Sequence, residues 1–476
     1  MKKILFMRPQ APGPRFTPFG ILYLTAYIKK NEYPAEINLL DLRGRSLTRQ
    51  QISCEVENFK PDLIGISSLS TESLPTHELV GICKQVLPNT PVVIGGPYAS
   101  AEWQYVLEDT QVDYSIVGEG EKNFLEFLKY MGDGRNPEGL DGVASRDDSG
   151  KAMLSASRTF ITNLDEIPFP AYELINIEEY SCKANSHLPA FDVNKRFTQM
   201  FTSRGCPYLC SFCHNIFGKK IRYRSISNVM QEMDWLVNKY GIEEIHFEDD
   251  SFNMDLEHAK NICSEIIKKN YKLRFAFPNG IRADHVDEEL VDLFCRMGVY
   301  SVGYGIESAS KAIRKRIKKA LNLDKLNKAI SLTARRGIVV SGFLMVGFPN
   351  ETEKEIEETI LFACKSKLHI AIFSRVIPFP GTELYNEVLR LGFHYNRELF
   401  NKIMFEKAAI NFSELSNEQL EAKIRSAMRR FYLNPFRLLR IFLVYPGKIG
   451  LFSEGLRVIK EKLLGLHSST NNHGCK

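Results

Sequence analysis

The chain has 476 residues, of which 44% are hydrophobic and 25% are charged, and its net charge is +5. This is the composition of a soluble globular protein of about two to four domains, and the charge is too small to indicate a nucleic acid as partner. The apolar part of Met1–Pro9 is too short for a signal peptide, and no stretch reaches the ~20 apolar residues of a membrane-spanning helix.

Short apolar runs alternate with helical patterns over residues 1–135. The predicted strands are Lys3–Met7, Glu36–Leu40, Leu63–Ser67, Pro91–Ile94 and Tyr114–Val117, and the predicted helices between them include Gly20–Lys30, Thr48–Phe59 and Thr76–Leu87. This alternation predicts a doubly wound, Rossmann-like parallel sheet in an α/β fold.

Small and polar residues follow the third, fourth and fifth of these strands. Ligands of such sheets bind beyond the carboxyl ends of the strands, and glycine permits close approach of a ligand to the backbone. The alternative is that these segments are only tight turns between strands and helices. The residues are Ser67, Ser68, Ser70 and Thr71, then Gly95, Gly96 and Pro97, then Gly118, Glu119 and Gly120.

Residues 136–195 are predicted to form a mixed connector. Asp147–Gly150 is typical of a hairpin turn between two short strands, and Pro168 and Pro170 oppose a regular helix.

Three closely spaced cysteines, Cys206, Cys210 and Cys213, follow the predicted strand Gln199–Thr202 with the spacing C-x3-C-x2-C. Iron–sulfur clusters are held by thiolates at short intervals, and three ligands leave one iron of four open for a substrate or cofactor. A zinc site completed by His214 is the alternative. It is disfavoured because His214 directly follows Cys213 and zinc ligands usually come as two spaced pairs.

The other seven cysteines are scattered without regular spacing. This pattern suits a reducing cytoplasm better than a disulfide framework.

Residues 196–410 resume the alternation, with six units of strand and helix that predict a partial (β/α)6 TIM-like barrel. After the strand before the cysteines, the predicted strands are Glu244–Phe247, Arg274–Phe277, Tyr300–Gly303, Val339–Met345 and Ile370–Val376. Barrel active sites lie at the carboxyl ends of the strands. The charged and turn-forming residues that follow the predicted strands are Glu248, Asp249, Asp250, Arg282, Glu307, Gly347 and Pro349. Each alone could be a helix cap or a solvated charge, but their joint occurrence behind the cysteines favours a binding site.

Residues 411–476 read as a basic helical tail, with predicted helices at Gln419–Tyr432, Phe436–Val444 and Ile449–Leu464. These helices either pack on the barrel with solvated charges or dock on a membrane surface.

The cysteine motif and the strand ends behind it resemble those of the radical S-adenosylmethionine (SAM) superfamily. The resemblance implies that Cys206, Cys210 and Cys213 hold a [4Fe-4S] cluster whose open iron binds SAM. It also implies that Glu248, Asp249 and Asp250 contact the methionine amino group, that Arg282 and Glu307 contact the methionine or ribose part, and that Gly347 and Pro349 lie near the adenine.

Gly95–Ser100 and Val117–Glu121 resemble the cobalamin-binding domain that precedes many radical SAM cores. The resemblance implies a cobalamin site formed by Ser67, Ser68, Ser70, Gly95, Gly96, Pro97, Gly118, Glu119 and Gly120. The Asp-x-His-x-x-Gly signature of that family is missing, because its expected position has the sequence Asp41-Leu42-Arg43-Gly44. No histidine is therefore available there to bind cobalt.

The resemblance implies an enzyme that cleaves SAM to a 5′-deoxyadenosyl radical and functionalises an unactivated carbon by cobalamin-dependent C-methylation. The alternatives are an oxidative cyclase or rearrangement enzyme acting on a tetrapyrrole or lipid, and a non-enzymatic cobalamin-binding sensor. The expected partners are a small-molecule or lipid substrate and an external electron donor such as flavodoxin or ferredoxin. The expected location is the cytoplasm, with peripheral membrane contact through the tail as a further possibility.

Overall fold

The computed structural model describes residues 1–11, 15–155, 159–181, 196–214, 216–393 and 411–445. They fall into two compact units, each with one large sheet. The first unit comprises Met1–Ile177, Phe212–Arg222 and Pro378–Ala408, and the second comprises Glu178–Ser211, Tyr223–Ile377 and Ala409–Lys476. The domain limits at residues 135, 195 and 410 stay predictions.

Seven strands form the sheet of the first unit. They are β1 (Lys3–Arg8), β2 (Glu36–Asp41), β3 (Leu63–Ser67), β4 (Val92–Gly95), β5 (Tyr114–Ile116), β6 (Val143–Arg146) and β7 (Ala152–Leu154). Their order is β2-β1-β3-β4-β5-β6-β7, and the first five run parallel, as the alternation predicts. The predicted hairpin of the connector is β6–β7, which extends this sheet because β6 pairs antiparallel with β5.

Five helices cover the two faces of this sheet: α1 (Phe19–Lys30), α2 (Arg49–Phe59), α3 (Ser73–Val86), α4 (Gly96–Val106) and α5 (Gly120–Gly132). Successive side chains of a strand point to opposite faces. Ile4 and Phe6 of β1 therefore share a core with α1 and α5, whereas Leu5 and Met7 share one with α2 and α3. Because both faces are buried, the strands are nearly continuous apolar runs.

Helix α4 is missing from the sequence-based prediction, which assigns Gly95, Gly96 and Pro97 to ligand binding at a strand end, with a tight turn as the alternative. The structure places Gly95 at the N-terminal cap and Pro97 in the first turn of α4. Proline is favoured at that position because the first-turn amide that it lacks has no partner in the helix.

Six parallel strands form the sheet of the second unit. They are β8 (Phe197–Met200), β11 (Glu244–Phe247), β12 (Arg274–Ile281), β13 (Val299–Glu307), β14 (Val339–Val346) and β15 (Ile370–Arg375), while the two-residue strands β9 (Ser203–Arg204) and β10 (Arg222–Tyr223) precede and follow the cysteines in the chain. The order β15-β14-β13-β12-β11-β8 and the parallel pairing are those of the predicted six-unit partial barrel.

The helices that follow α5 in the chain include the barrel helices and the first part of the tail. They are α6 (Ile177–Tyr180), α7 (Ile226–Tyr240), α8 (Leu256–Lys269), α9 (Glu288–Met297), α10 (Lys311–Arg316), α11 (Leu323–Arg335), α12 (Glu353–Lys365), α13 (Glu383–Arg390), α14 (Asn417–Tyr432) and α15 (Pro435–Val444). None of the helices in the described part of the chain is long and apolar enough to cross a membrane. The predicted helix Ile449–Leu464 lies outside the described residues.

A buried arginine fastens helix α15 to the end of α12. Arg437 is 1% exposed, and its guanidinium donates to the carbonyls of Ala363 at 3.3 Å, Cys364 at 2.8 Å and Ser366 at 3.1 Å. A cation is favoured there because the last carbonyls of a helix have no partner within it. Burial lowers the pKa of Arg437 to about 10, so the side chain stays charged at neutral pH.

Replacing Arg437 with alanine should lower the free energy of unfolding by about 2–4 kcal/mol, because each buried carbonyl left without a partner costs ~1–3 kcal/mol. Arg425→Ala is the matched control, since Arg425 lies in the neighbouring helix and is an exposed partner of Glu421. It should cost less than ~0.5 kcal/mol. Urea denaturation measures both, and equal losses would contradict the anchoring role of Arg437.

Candidate active site

The three cysteines of the predicted cluster lie on an irregular segment that begins after β9. Gly205, directly before Cys206, has a φ of 95°, a left-handed conformation that favours glycine. Its amide donates to Asp250 Oδ2 at 3.1 Å, which holds the start of the segment. Cys206 and Cys210 are half-buried and Cys213 is exposed, and none of the three is in a disulfide.

The three thiols lie within eight residues of the sequence. In a four-iron cluster the thiolates bind different irons, so three separate thiols on one short segment form a suitable donor set.

Asp249 anchors the chain just before the cysteines. Its Oδ1 accepts hydrogen bonds from the Thr202 amide at 3.0 Å, the Thr202 hydroxyl at 2.7 Å and the Ser203 hydroxyl at 2.6 Å. Its Oδ2 is buried and has no hydrogen-bond partner among the described residues. Burial raises the pKa of Asp249 to about 6. The side chain thus offers one occupied oxygen and one oxygen that can still accept a hydrogen bond. Of the two other predicted carboxylates, Glu248 is half-buried and Asp250 is exposed.

Arg282 contacts the cysteine segment through an aromatic ring. Its guanidinium lies over the ring of Tyr208 at 3.9 Å, and it donates to Asp284 at 2.8 Å and to the Ala320 carbonyl. Such a cation–π contact stabilises the ring by ~0.5–2 kcal/mol. Tyr208 stands between Cys206 and Cys210, so Arg282 helps to position the segment. Tyr208 is not among the site residues predicted from the sequence.

Glu307 and Lys319 form an ion pair with a separation of 3.0 Å. Glu307 ends β13 with a φ of 59°, which is unusual for a residue with a side chain. The Cys210 thiol contacts the carbonyl of Lys318, next to this pair. Burial raises the pKa of Cys210, while the positive charge of Lys319 opposes the rise. The structure therefore brings Cys210 near the end of β13, as the barrel predicts.

The turn at Gly347 is held by the carboxylate of Glu351, which is not among the site residues predicted from the sequence. Glu351 is fully buried, and its Oε2 accepts hydrogen bonds from the amides of Gly347 at 2.7 Å and Phe348 at 3.1 Å. Gly347 has a φ of 93°, and the Pro349 carbonyl accepts a hydrogen bond from Arg316. The two predicted residues of this turn are thus placed by Glu351 and Arg316.

Glu351 should make the stability depend on pH. Burial raises its pKa from 4.5 to about 7, so between these values the folded state holds a proton that the unfolded state has lost. Stability should therefore fall as pH rises through this interval, by up to about 3 kcal/mol. Glu351→Gln keeps an acceptor oxygen but cannot ionise, so it should gain stability relative to the parent protein between pH 5 and pH 8. Urea denaturation at both pH values measures this gain, and parallel pH profiles would contradict it.

In the first unit, the strand ends form a glycine-lined edge. A Cβ built on Gly95 or Gly118 meets no atom within 4 Å, whereas one on Gly96 would approach Ser67 Oγ to 2.9 Å. The Ser68 hydroxyl is buried without a hydrogen-bond partner among the described residues. Open space beside two glycines and an unsatisfied hydroxyl are the features that a bound ligand would use.

The other predicted residues of this edge have structural surroundings. Ser70 is buried at the start of a short 3-10 turn, and Pro97 lies in the first turn of α4. Gly120 begins α5, where a Cβ would lie 3.0 Å from Leu24 of α1. Glycine at residue 120 therefore allows close packing of these two helices.

Glu119 is engaged in a buried ion pair. Its carboxylate accepts hydrogen bonds from Arg222 at 2.8 Å and 2.9 Å and from the Ile161 amide at 2.9 Å. Arg222 also donates to the carbonyls of Ile161 at 2.7 Å and Phe217 at 2.8 Å. The pair fastens the segment Phe212–Arg222, which includes Cys213, within the first unit.

The position of the missing histidine is occupied by charged pairs. Asp41 accepts hydrogen bonds from Arg8 at 2.6 Å and 2.9 Å and from Arg15 at 3.3 Å. Arg43, which stands where the signature has histidine, is paired with Glu72. Arginine does not bind metal ions at neutral pH because it stays protonated.

Comparisons with known proteins identify both parts of the chain. Residues 200–363 match the family model of the radical SAM superfamily, and residues 11–128 match that of the B12 binding domain. Cytidylyl-2-hydroxyethylphosphonate methyltransferase of Streptomyces wedmorensis is 29% identical, over 90% of this chain and 89% of its own. A methyltransferase of Pyrococcus horikoshii, described as uncharacterized, is 29% identical over 94% and 96%.

A solved structure has the same fold. It is the radical SAM methyltransferase TsrM of Kitasatospora setae, determined with cobalamin and a [4Fe-4S] cluster bound. Its TM-score to this chain is 0.70 at 19% identity, and the match covers 91% of this chain and 89% of that one.

These matches confirm the predicted α/β fold class and the predicted succession of a B12-binding domain and a radical SAM domain. The roles of the individual site residues stay predictions. The chain therefore contains a radical SAM domain at residues 200–363, preceded by a B12-binding domain at residues 11–128.

Proposed function

We propose that this enzyme methylates an unactivated carbon of a small molecule. The proposal rests on two features that occur in the same chain. Three thiols follow the first strand of a parallel barrel, and a glycine-lined edge lies in a B12-binding domain. Two relatives that match 90% and 94% of the chain are methyltransferases by name, which favours methylation over the cyclase and sensor alternatives.

The three cysteines and the strand ends of the second unit fit a cluster and SAM. Cys206, Cys210 and Cys213 would hold the cluster and leave one iron open. Asp249 Oδ2 is a buried acceptor suited to an ammonium group such as that of methionine. Arg282 has a buried Nε without a hydrogen-bond partner among the described residues, which suits an anionic or polar part of the ligand. Glu307, Gly347 and Pro349 complete the proposed SAM contacts, together with Glu248 and Asp250.

The residues of the first unit fit cobalamin held without a histidine ligand. The space at Gly95 and Gly118 and the Ser68 hydroxyl would receive it. When bound, the cofactors supply one-electron cleavage of SAM and transfer of its methyl group, and the chain supplies binding, orientation and exclusion of competing reactions.

The reaction needs an electron from outside the chain. An external donor such as flavodoxin or ferredoxin would supply it, and the cytoplasm would provide the reducing conditions that the exposed thiol Cys213 requires.

Anaerobic reconstitution tests the proposal. The protein should retain iron, sulfide and cobalamin after gel filtration, and with SAM and a reductant it should form 5′-deoxyadenosine and S-adenosylhomocysteine. If protein that has retained iron, sulfide and cobalamin forms neither nucleoside product, the proposal that it is an enzyme is wrong. A changed substrate without an added methyl group would instead identify a cyclase or rearrangement enzyme.

A further inference from the structure

Helix α15 presents its apolar side to solvent. Six large apolar side chains in and just before it are between 44% and 78% exposed, and they are half of all such exposed side chains in the described part of the chain. Surface helices of soluble proteins normally turn this stripe toward the core. The six residues, called the α15 patch below, are Leu433, Phe436, Leu438, Leu439, Phe442 and Leu443.

This orientation is fixed by the buried side of the helix. Arg437 and Ile441 are the buried residues of α15, and Arg437 is held by the carbonyls at the end of α12. Rotation of the helix to bury the α15 patch would remove the guanidinium from those carbonyls and leave them unpaired, which is costly. The neighbouring helix α14 has the usual arrangement, with Leu420, Ala427 and Phe431 buried.

The sequence around the patch is basic, although Lys423, Arg425 and Arg430 are paired with Glu353, Glu421 and Glu357, and Arg437 is buried. Residues 422–453 contain seven Lys and Arg and no Asp or Glu, and they include all of α15. Residues 411–476 carry eleven Lys and Arg and five Asp and Glu, a charge of +6, whereas the complete chain carries +5. The rest of the chain therefore has a charge of −1, and the positive charge is concentrated in the tail.

An exposed apolar face in the basic part of the chain fits an anionic lipid surface. The helix has 10 residues, so it is about 15 Å long, short of the ~30 Å hydrocarbon core. Phe and Leu side chains would enter the boundary between headgroups and acyl chains, and arginines such as Arg440 would meet lipid phosphates. We propose that the α15 patch docks this enzyme on the surface of an anionic lipid bilayer.

Vesicle sedimentation tests this proposal with the full chain. The protein should sediment with vesicles of phosphatidylcholine and phosphatidylglycerol in equal amounts and much less with phosphatidylcholine alone. At about 1 M salt the Debye length falls to about 3 Å, and binding should weaken. Leu439→Glu combined with Leu443→Glu should weaken binding at least about tenfold, because two anchors become anions. Met153→Glu, exposed to 48% in β7, is the matched control and should bind like the parent protein.

Two further measurements separate the membrane from other occupants. The Tm of the double variant without vesicles should equal that of the parent protein, and sedimentation velocity should show the same mass for both. A lower Tm would indicate that another part of the chain covers the α15 patch, and a dimer lost in the variant would indicate a second copy. Either result, or equal vesicle binding by parent and variant, would overturn the proposal. SAM cleavage by the same variant tests the proposed reaction separately.

Discussion

Simultaneous replacement of Cys206, Cys210 and Cys213 with alanine should remove the cluster and abolish SAM cleavage. Loss of a residue that only supports a metal ligand already costs ~10–100-fold in metal affinity or activity, so loss of all three ligands should cost at least ~100-fold. Iron and sulfide content after anaerobic reconstitution and formation of 5′-deoxyadenosine measure the effect. The far-UV circular dichroism should be unchanged, because these side chains lie on an irregular segment rather than in the core.

Cys295→Ala is the matched control for this experiment. Cys295 is also an exposed free thiol, but it lies on α9 outside the motif. The control should keep its iron and its activity. Full iron content in the triple variant, or loss of iron in the control, would contradict the assignment of the cluster ligands.

Breaking the buried pair of Glu119 and Arg222 should have the largest effect on stability. Glu119→Ala leaves the guanidinium of Arg222 buried without its counter-charge, and removal of one partner of such a pair costs ~3–5 kcal/mol. The free energy of unfolding, measured by urea denaturation, should fall by that amount. Since Arg222 ends the segment Phe212–Arg222, the variant should also lose iron faster than the parent protein when a chelator is added.

An exposed ion pair of the same unit provides the comparison. Lys29 and Glu173 are 2.8 Å apart, and each side chain is 47% exposed. Glu173→Ala should cost less than ~1 kcal/mol because water screens this pair. Equal losses in the free energy of unfolding for Glu119→Ala and Glu173→Ala would show that burial of the pair of Glu119 and Arg222 does not increase its contribution to stability.

Local signals account for what could be predicted from the sequence. The spacing of Cys206, Cys210 and Cys213 is visible within eight residues, and the six parallel strands of the barrel follow from the alternation of apolar runs with helical patterns. Gly95 and Pro97 are also a local signal for helix α4, as its N-terminal cap and a first-turn residue, but the sequence-based prediction uses both for ligand binding.

Contacts between distant residues account for what could not be predicted. Asp249 and Thr202 are 47 residues apart in the chain, and Glu119 and Arg222 are 103 apart. A carboxylate at a strand end has the same appearance in sequence whether it faces a ligand or the backbone of another strand. Only the folded chain shows that Glu119 pairs with Arg222 and that Asp249 holds Thr202. One oxygen of Asp249 has no hydrogen-bond partner among the described residues.

Transfer of a labelled methyl group tests the central claim most directly. The loaded enzyme would be incubated anaerobically with a reductant, SAM that carries a trideuterated methyl group, and a small-molecule extract of the organism that encodes it. Mass spectrometry should then show a product heavier by one trideuterated methyl group, formed together with S-adenosylhomocysteine and absent with the triple cysteine variant. Turnover of SAM with products that never contain the label would contradict the methyltransferase account.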